Sequence, residues 1–198
     1  NTNLIVLMDV LRNFKDSGRT FNFISSWFVY GKVNLPARET SCCNPKGFYS
    51  ITKYAAEKLL VSFCETFGIN YRILRLCNVF GPSDKGISKK KNALQYLINE
   101  IKNNRDVKLY HDGVFYRDYM HVDDACSAID LCIRKAPLNS IINIGSGKDY
   151  SIKYYAQLIL KTLIPKKKIK IVFDLTKPNG TPRKVLNISL AEKYGWQP

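Results

Sequence analysis

Strand-like and helix-like stretches alternate along this chain of 198 residues, and this alternation constrains the fold more than any other feature. Short apolar runs, such as 21–26 and 140–144, are separated by longer stretches with the three-to-four-residue periodicity of amphipathic helices. Chains with this pattern pair their strands in parallel and cover the sheet with the helices. The sequence therefore predicts an α/β protein.

Turn residues set the expected ends of these elements. Gly81-Pro82 stops the strand that begins at Tyr71, and the acidic pair Asp123-Asp124 suits the first turn and cap of a helix. We expect helices at 4–14, 49–67, 92–103, 123–135, 152–163 and 189–194, and strands at 21–26, 71–80, 108–110, 120–122, 140–144 and 169–173.

The charge of the chain is strongly positive, with a formal net charge of +15 and lysine triplets at 89–91 and 166–168. Such charge attracts nucleic acid, but charge alone specifies no site and the sequence has no nucleic-acid-binding motif. Lysines spread over helix faces also serve solubility. We expect no nucleic-acid partner, and assign some of these charges to an anionic diphosphate ligand.

Cysteine spacing and hydropathy exclude two further classes of site. The cysteines lack paired C-x-x-C spacing, so we expect no metal and assign them as reduced residues of a cytoplasmic protein. Their positions are Cys42, Cys43, Cys64, Cys77, Cys126 and Cys132. No apolar run approaches the ~20 residues of a membrane span, so no membrane partner is expected.

The helix at 49–67 carries the strongest chemical signal. Its apolar stripe (Ala56, Leu60, Phe63, Phe67) extends backwards to Lys53 and then Tyr49, which places both on the buried side. A buried lysine is costly without a partner or a role. Its ammonium, together with the helix N-terminus, would favour the phenolate form of Tyr49 and so suit it to acid/base work. An ordinary Tyr and Lys in a first helical turn is the alternative.

The surrounding motifs support the catalytic interpretation. In their order and spacing they resemble the extended short-chain dehydrogenase/reductase family, which includes nucleotide-sugar 4-epimerases and 4,6-dehydratases. The matching blocks span nearly the whole chain: "FISSWFVYG" (23–31), "YSITK" (49–53), "RLCNVFGP" (75–82), "YRDYMHVDD" (116–124), "NIGSG" (143–147) and "KPNGTPRK" (177–184).

The resemblance implies a catalytic set and a cofactor. Ser26 would hydrogen-bond the reacting oxygen, Tyr49 would be the general acid/base, and Lys53 would bind the nicotinamide ribose. The implied cofactor is NAD or NADP, with NAD favoured. The residues implied to contact it are Asn1, Ser25, Tyr49, Lys53, Leu76 and Cys77.

The resemblance also implies a nucleotide-diphosphate sugar as substrate. Arg117 and Arg183 would clamp the diphosphate, a role that suits guanidinium groups. Arg117 could instead pair with a nearby Asp, Tyr110 could be a core residue rather than a platform for the base, and His121 is expected to be structural. The full set of substrate residues is Ser26, Asn78, Asn92, Tyr110, Arg117 and Arg183.

Three functions remain open on these residues. The 4,6-dehydratases carry an Asp-Glu pair where this chain has Trp27-Phe28, which favours a 4-epimerase or 4-ketoreductase over a dehydratase. The "KPNGTPRK" block also resembles the epimerase/reductases that make GDP-fucose, although their catalytic cysteine would fall at Ser25-Ser26. A non-catalytic fragment that binds sugar nucleotides is the third alternative.

The glycine-rich turn of a dinucleotide-binding sheet is not found. Gly18 is the only glycine before position 31, so we expect the chain to be N-terminally truncated, with the first βαβ half of a Rossmann-type sheet missing. The expected domains are 1–82, the remainder of the cofactor domain, and 83–198, a small α/β substrate lobe, with 111–147 partly returning to the sheet. By analogy with the family, helices 4–14 and 49–67 would form the contact of a homodimer.

Overall fold

The computed structural model describes residues 2–82, 93–166, 168–176 and 181–198. Asn1 and Asn92, both expected in the binding site, lie outside the described residues, as does the 177–180 half of the "KPNGTPRK" block. The helices are α1 (Thr2–Phe14), α2 (Phe48–Phe67), α3 (Ala93–Lys102), α4 (Val122–Lys135), α5 (Ile152–Leu163) and α6 (Ser189–Lys193). The strands are β1 (Phe21–Ser26), β2 (Tyr71–Leu76), β3 (Asn78–Phe80), β4 (Val107–Tyr110), β5 (Tyr116–Arg117), β6 (Tyr119–His121), β7 (Ser140–Ile144), β8 (Tyr150–Ser151), β9 (Ile171–Asp174) and β10 (Arg183–Lys184).

A parallel sheet of three strands, in the order β1-β2-β7, forms the centre of the first part of the chain. Its register aligns Ser26 with Leu76 and Leu76 with Ile144, so the carboxyl ends of the three strands are level. Helices α1 and α2 cover one face of this sheet, and α4 and α6 cover the other. The predicted α/β class with a parallel, Rossmann-like sheet is confirmed.

A second group of elements has its own core. Strands β4 and β9 pair in parallel, and α3 and α5 pack on them through buried residues such as Leu97, Val107 and Ala156. Beside them, the two-residue strands β10, β5 and β8 form a small sheet. None of the helices in the described part of the chain is both long enough and apolar enough to cross a bilayer.

The expected strand at 71–80 is wrong in one respect, because it is two strands in two sheets. Strand β2 ends at Leu76, and the Cys77 amide donates to Ile144 O at 2.9 Å. After Cys77 the chain leaves that sheet, since the backbone amide and the side chain of Asn78 both donate to Asp118 O, at 3.3 and 3.1 Å. Strand β3 then pairs with β6.

The buried stripe of α2 also differs from the prediction. The buried residues include Ala56, Glu57 and Leu60, whereas Tyr49 and Phe67 are 53% and 49% exposed. In the first turn the buried residue is Ser50, so the stripe does not continue to Tyr49. At α4 the cap is His121, whose Nδ1 accepts from the Asp123 amide at 3.3 Å, while Asp123 and Asp124 lie in the first turn.

Candidate active site

The site begins at the carboxyl end of β1, where two serines have different surroundings. Ser25 is buried and its hydroxyl donates a short hydrogen bond to the Glu57 carboxylate. Ser26 is half-buried, and its hydroxyl oxygen accepts from the Phe28 amide at 3.4 Å, which caps a 3-10 turn over Trp27–Tyr30. Ser25 is therefore tied into the core, and Ser26 remains at the surface of the strand end.

Tyr49 lies in the first turn of α2, next to this strand end. Its ring meets the Phe28 ring edge to face, with centroids 5.8 Å apart and planes at 89°. More than half of the Tyr49 side chain is exposed, so its hydroxyl is accessible to a ligand. Gly47 is the N-cap residue that precedes this helix, and its φ of 87° favours glycine. No side-chain hydrogen bond caps the helix at this end.

Lys53 lies one turn further along α2 and faces the open edge of β1. Its Nζ donates to Ile24 O at 3.0 Å and lies 4.8 Å from the centre of the Phe23 ring. Burial lowers the pKa of the Lys53 ammonium, and the Glu57 carboxylate opposes that shift. Among the described residues no carboxylate forms an ion pair with it.

A cleft of about 400 Å³ separates α1, β1 and the first turns of α2. Its apolar wall includes Val6, Val10 and Phe23, and its polar groups are those of Asn22, Tyr49, Thr52 and Lys53. An apolar cleft with a few convergent polar groups is the usual form of a small-molecule site. Tyr49 and Lys53, predicted as partners from their spacing, thus share one cleft.

A buried network of hydrogen bonds and one ion pair stabilises the carboxyl end of β1. Arg75 on β2 binds the Glu57 carboxylate with two nitrogens, and its guanidinium lies 4.7 Å from the Tyr30 ring centre. The Tyr30 hydroxyl donates to Asn143 Oδ1 at 2.7 Å, and burial raises the pKa of Tyr30 to about 12 although Arg75 opposes this. The network fixes β1 against α2, and therefore the position of Ser26 relative to the first turn of that helix.

The predicted cofactor residues on β2 lie at the same level. Leu76 is in register with Ser26 and is half-buried. The Cys77 thiol has a pKa well above its ordinary value because of burial and the neighbouring Asp118 carboxylate. A protonated, buried thiol is a poor nucleophile, so the surroundings of Cys77 do not favour a nucleophilic role.

The two predicted phosphate ligands lie on different faces of the small sheet. Arg183 pairs with Tyr116 and Lys184 with Arg117, so Arg117 shares its face with Lys184 and not with Arg183. The Arg183 guanidinium binds the Asp149 carboxylate with two nitrogens, at 2.6 and 2.9 Å. Arg117 is half-buried, its Nη1 donates to Tyr116 O, and burial lowers its pKa.

Lys184 is a candidate site residue that the sequence did not single out. It is only 8% exposed, and its Nζ lies 3.7 Å from the Phe28 ring centre and 5.5 Å from that of Trp27. Through Phe28 it is connected to Tyr49, and by register it adjoins Arg117. One sequence signal could have indicated it. Successive residues of a strand point to opposite faces of the sheet, so Arg183 and the next residue, Lys184, cannot share a face.

The other predicted substrate residues are more dispersed. Asn78 uses its side-chain amide on Asp118 O, and Tyr110 is 59% exposed at the end of β4. Across the residues that the structure describes, no group of three or more His, Cys, Asp or Glu side chains is placed to hold a metal ion.

Comparison with known proteins assigns the class. Residues 1–145 match the NAD dependent epimerase/dehydratase family, and the chain belongs to that family. It is 32% identical over 162 residues to the GDP-L-fucose synthase of Escherichia coli strain K12, covering 75% of this chain and 50% of that protein. It is 29% identical over 208 residues to the GDP-L-fucose synthase of Sinorhizobium fredii, covering 99% of this chain and 66% of that protein.

Among solved structures, the chain resembles a UDP-glucose 4-epimerase from Thermotoga maritima crystallised with UDP-glucose. The TM-score is 0.88 at 26% identity, over 97% of this chain and 62% of that one. The family and its relatives are enzymes of nucleotide-sugar conversion. The chain spans between half and two-thirds of the length of these relatives.

Proposed function

We propose that this chain is the catalytic and substrate-binding part of an NAD-dependent nucleotide-sugar 4-epimerase or 4-ketoreductase. The observation that carries the proposal is the cleft that Tyr49 and Lys53 share along the first residues of β1, the strand that ends at Ser26. In parallel α/β sheets, ligands bind outside the carboxyl ends of the strands. The division at 82/83 into a cofactor part and a substrate lobe belongs to this proposal.

The chemistry assigned to the protein is proton transfer at the sugar C4 oxygen. Tyr49 removes the hydroxyl proton when the sugar is oxidised and returns it when the ketone is reduced. Ser26 donates a hydrogen bond to the same oxygen. Lys53 supplies positive charge next to the phenol, since its ammonium lies one helical turn away in the same cleft.

The residues of the cleft fit a nicotinamide nucleotide. The apolar wall suits a flat heterocycle, while the Lys53 ammonium and the Tyr49 hydroxyl can bind ribose hydroxyls. When bound, NAD would accept and return the hydride of sugar C4. Asn1, Ser25, Leu76 and Cys77 complete the proposed cofactor set, with Ser25 acting through the buried Glu57 network.

Arg117 and Lys184 are the cations best placed for the sugar diphosphate. They share one face of the small sheet, and neither has a carboxylate partner among the described residues. Arg183 faces the other way and would have to leave Asp149 to join them. Asn78, Asn92 and Tyr110 remain proposed contacts of the sugar and the base.

Trp27 and Phe28 favour epimerisation or ketoreduction over dehydration. Trp27 is 4% exposed and its indole donates to Val185 O at 3.3 Å, while Phe28 packs between Tyr49 and Lys184. These positions supply packing where elimination of water needs a carboxylate acid and base.

A non-catalytic, nucleotide-binding role is the second candidate, and one observation favours it. Strand β1 is an edge of its three-stranded sheet, and Ile24 on that strand is 40% exposed, so the cleft is open along this edge in the described structure. A ligand in such an open cleft would lack contacts that a closed site supplies. Calorimetry of the 198-residue chain with NAD and with UDP-, GDP- and CDP-sugars separates the candidates: nucleotide-sugar binding with no turnover supports this second role.

A homodimer through α1 and α2 is also part of the proposal. Apolar side chains on these helices are exposed, including Ile5 at 61%, Ile51 at 53% and Leu59 at 39%. Exposed apolar patches of this kind mark protein interfaces. Sedimentation velocity at increasing concentration tests it, and a monomer throughout would contradict it.

The test of the catalytic assignment is Tyr49→Phe in the longest natural form of the protein. Loss of the acid/base group is expected to lower turnover by about 100-fold or more, with the fold unchanged by circular dichroism. The matched control is Tyr154→Phe, an exposed phenol in the second group of elements. Retained turnover in Tyr49→Phe would refute the assignment.

A further inference from the structure

Lys184 occupies an unusual place for a lysine. It belongs to the short strand β10, is 8% exposed, and holds its Nζ over the faces of Phe28 and Trp27. Aromatic faces attract a cation, but this attraction replaces only part of the hydration that burial removes. The ammonium form is therefore poorly solvated in the free protein.

The groups around Lys184 do not supply a counter-charge. The 3-10 turn contributes the uncharged rings of Trp27 and Phe28, and the Phe28 ring in turn contacts the ring of Tyr49. From β5 the neighbour is Arg117, a second cation, and in register beyond it on β8 is Tyr150.

Two acidic residues adjoin these strands, Asp118 after β5 and Asp149 before β8. Both already have partners, although the buried Asp118 Oδ2 accepts no hydrogen bond from the described residues. Asp118 Oδ1 accepts from the amide and hydroxyl of Ser146, and Asp149 binds Arg183. Within the described part of the chain, no carboxylate forms an ion pair with Lys184. Burial first, and the Arg117 charge second, lower the pKa of Lys184 to about 7.

We propose that Lys184 is partly deprotonated in the free site at neutral pH and takes up a proton from solvent when the diphosphate of a nucleotide sugar binds between it and Arg117. The proposal rests on the proposed function, from which it takes the ligand class. The anion supplies the counter-charge that the protein lacks, so ligand and proton bind cooperatively. Arg117 cannot do this, because its guanidinium stays charged at all physiological pH values.

The consequence is a binding constant that depends on pH in one direction. Above pH 7 each unit of pH removes protonated Lys184 and weakens binding by up to about tenfold, until the residue in the complex also loses its proton. The diphosphate diester of a nucleotide sugar keeps its charge over this range, so the dependence reports the protein group.

The first experiment observes Lys184 directly. The chain is labelled with 13C-lysine, and the Cε resonances are followed by NMR from pH 5.5 to 10, with Lys184 assigned from the signal lost in Lys184→Met. We expect the Lys184 resonance to titrate with a midpoint near 7. Saturating UDP-glucose or GDP-mannose should raise that midpoint by at least one unit. An ordinary midpoint in the free chain would overturn the proposal.

The second experiment measures the proton. Calorimetry with the same nucleotide sugars at pH 7.5, in HEPES and in Tris, gives the number of protons taken up from the buffer dependence of the heat. We expect about half to three-quarters of a proton for the wild type, the same for the control Lys153→Arg, and none for Lys184→Arg, which keeps a permanent charge. Uptake that persists in Lys184→Arg would assign the proton to another group.

The outcomes separate this inference from the function on which it rests. If the Lys184 midpoint is low but does not change when a nucleotide sugar binds, the coupling is overturned. The enzyme assignment is then unaffected and is tested separately by Tyr49→Phe. If neither nucleotide sugar binds, both the coupling and the proposed substrate site fail. Weakened binding in Lys184→Met with loss of proton uptake supports both.

Discussion

The Glu57 carboxylate and the Arg75 guanidinium form a bidentate ion pair in the core, with Nη2 to Oε2 at 2.6 Å and Nε to Oε1 at 3.0 Å. Both side chains are 3% exposed. The same carboxylate accepts from Ser25, the residue before the proposed catalytic serine. Removing one partner leaves a buried charge unpaired, which is far more costly than the pair itself is stabilising.

Glu57→Gln is expected to lower the free energy of unfolding by about 3–5 kcal/mol, because Arg75 then keeps a buried charge without a counter-ion. Urea unfolding followed by circular dichroism measures the change. Asp130→Asn is the matched control, since it breaks the exposed pair with Arg134 and should cost at most about 1 kcal/mol. Equal losses in the two variants would contradict a special role for the buried pair.

Gly31→Ala should be much more harmful than Gly18→Ala, although both glycines have nearly the same φ, 63° and 65°. A Cβ on Gly31 would lie 1.8 Å from Asn44 O, whereas a Cβ on Gly18 would meet nothing within 4 Å. Only the backbone penalty of about 1–2 kcal/mol applies at Gly18. Thermal unfolding of the two variants tests this, and similar losses would show that the Gly31–Asn44 contact relaxes freely.

Lys53→Met is expected to abolish most of the turnover while leaving the fold intact. The ammonium lies in the proposed cofactor cleft and is partly desolvated, so its loss removes ligand contacts with little cost in packing. We expect a higher KM for NAD and a kcat lower by about 100-fold. Lys58→Met is the control, an exposed lysine of the same helix that lies over the Tyr54 ring. An unchanged KM for NAD in Lys53→Met would argue against the cofactor role.

Asp174→Asn should make the free energy of unfolding depend less on pH in acid. The Thr176 hydroxyl first and Lys108 second lower the pKa of Asp174 to about 2, from an ordinary 3.8. A lowered pKa means that the contribution of Asp174 is present above pH 3.8 and is lost as the pH falls through 2. Urea midpoints at pH 2, 3, 4 and 6 test this, and the wild type should lose more than the variant between pH 4 and 2. Parallel curves would contradict the assignment.

Much of the fold follows from the sequence because local signals agree with packing. The bounds of β1, β7 and α5 match the prediction, since each is an apolar or amphipathic run closed by turn residues. The candidate site was harder to predict from the sequence. The pairing of Tyr49 with Lys53 depends only on helical spacing, but the exposure of Tyr49 depends on which face of α2 packs on the core, and in the first turn that face carries Ser50.

The remaining differences arise from contacts between distant residues. The two-residue strands β5, β8 and β10 have no periodicity of their own, so only pairing defines them. The register of β10 decides that Lys184, and not Arg183, lies beside Arg117. Likewise, the break at Cys77 depends on Asp118, which lies 41 positions further along the chain.

That break limits how the chain can vary in length. A single residue joins β2, which is paired with β1 and β7, to β3, which is paired with β6. An inserted or deleted residue at Cys77 would turn every side chain of β3 to the opposite face or shift β2 against its neighbours. Segment 71–80 can therefore exchange residue types among homologues, whereas insertions and deletions are tolerated only in the loops outside it.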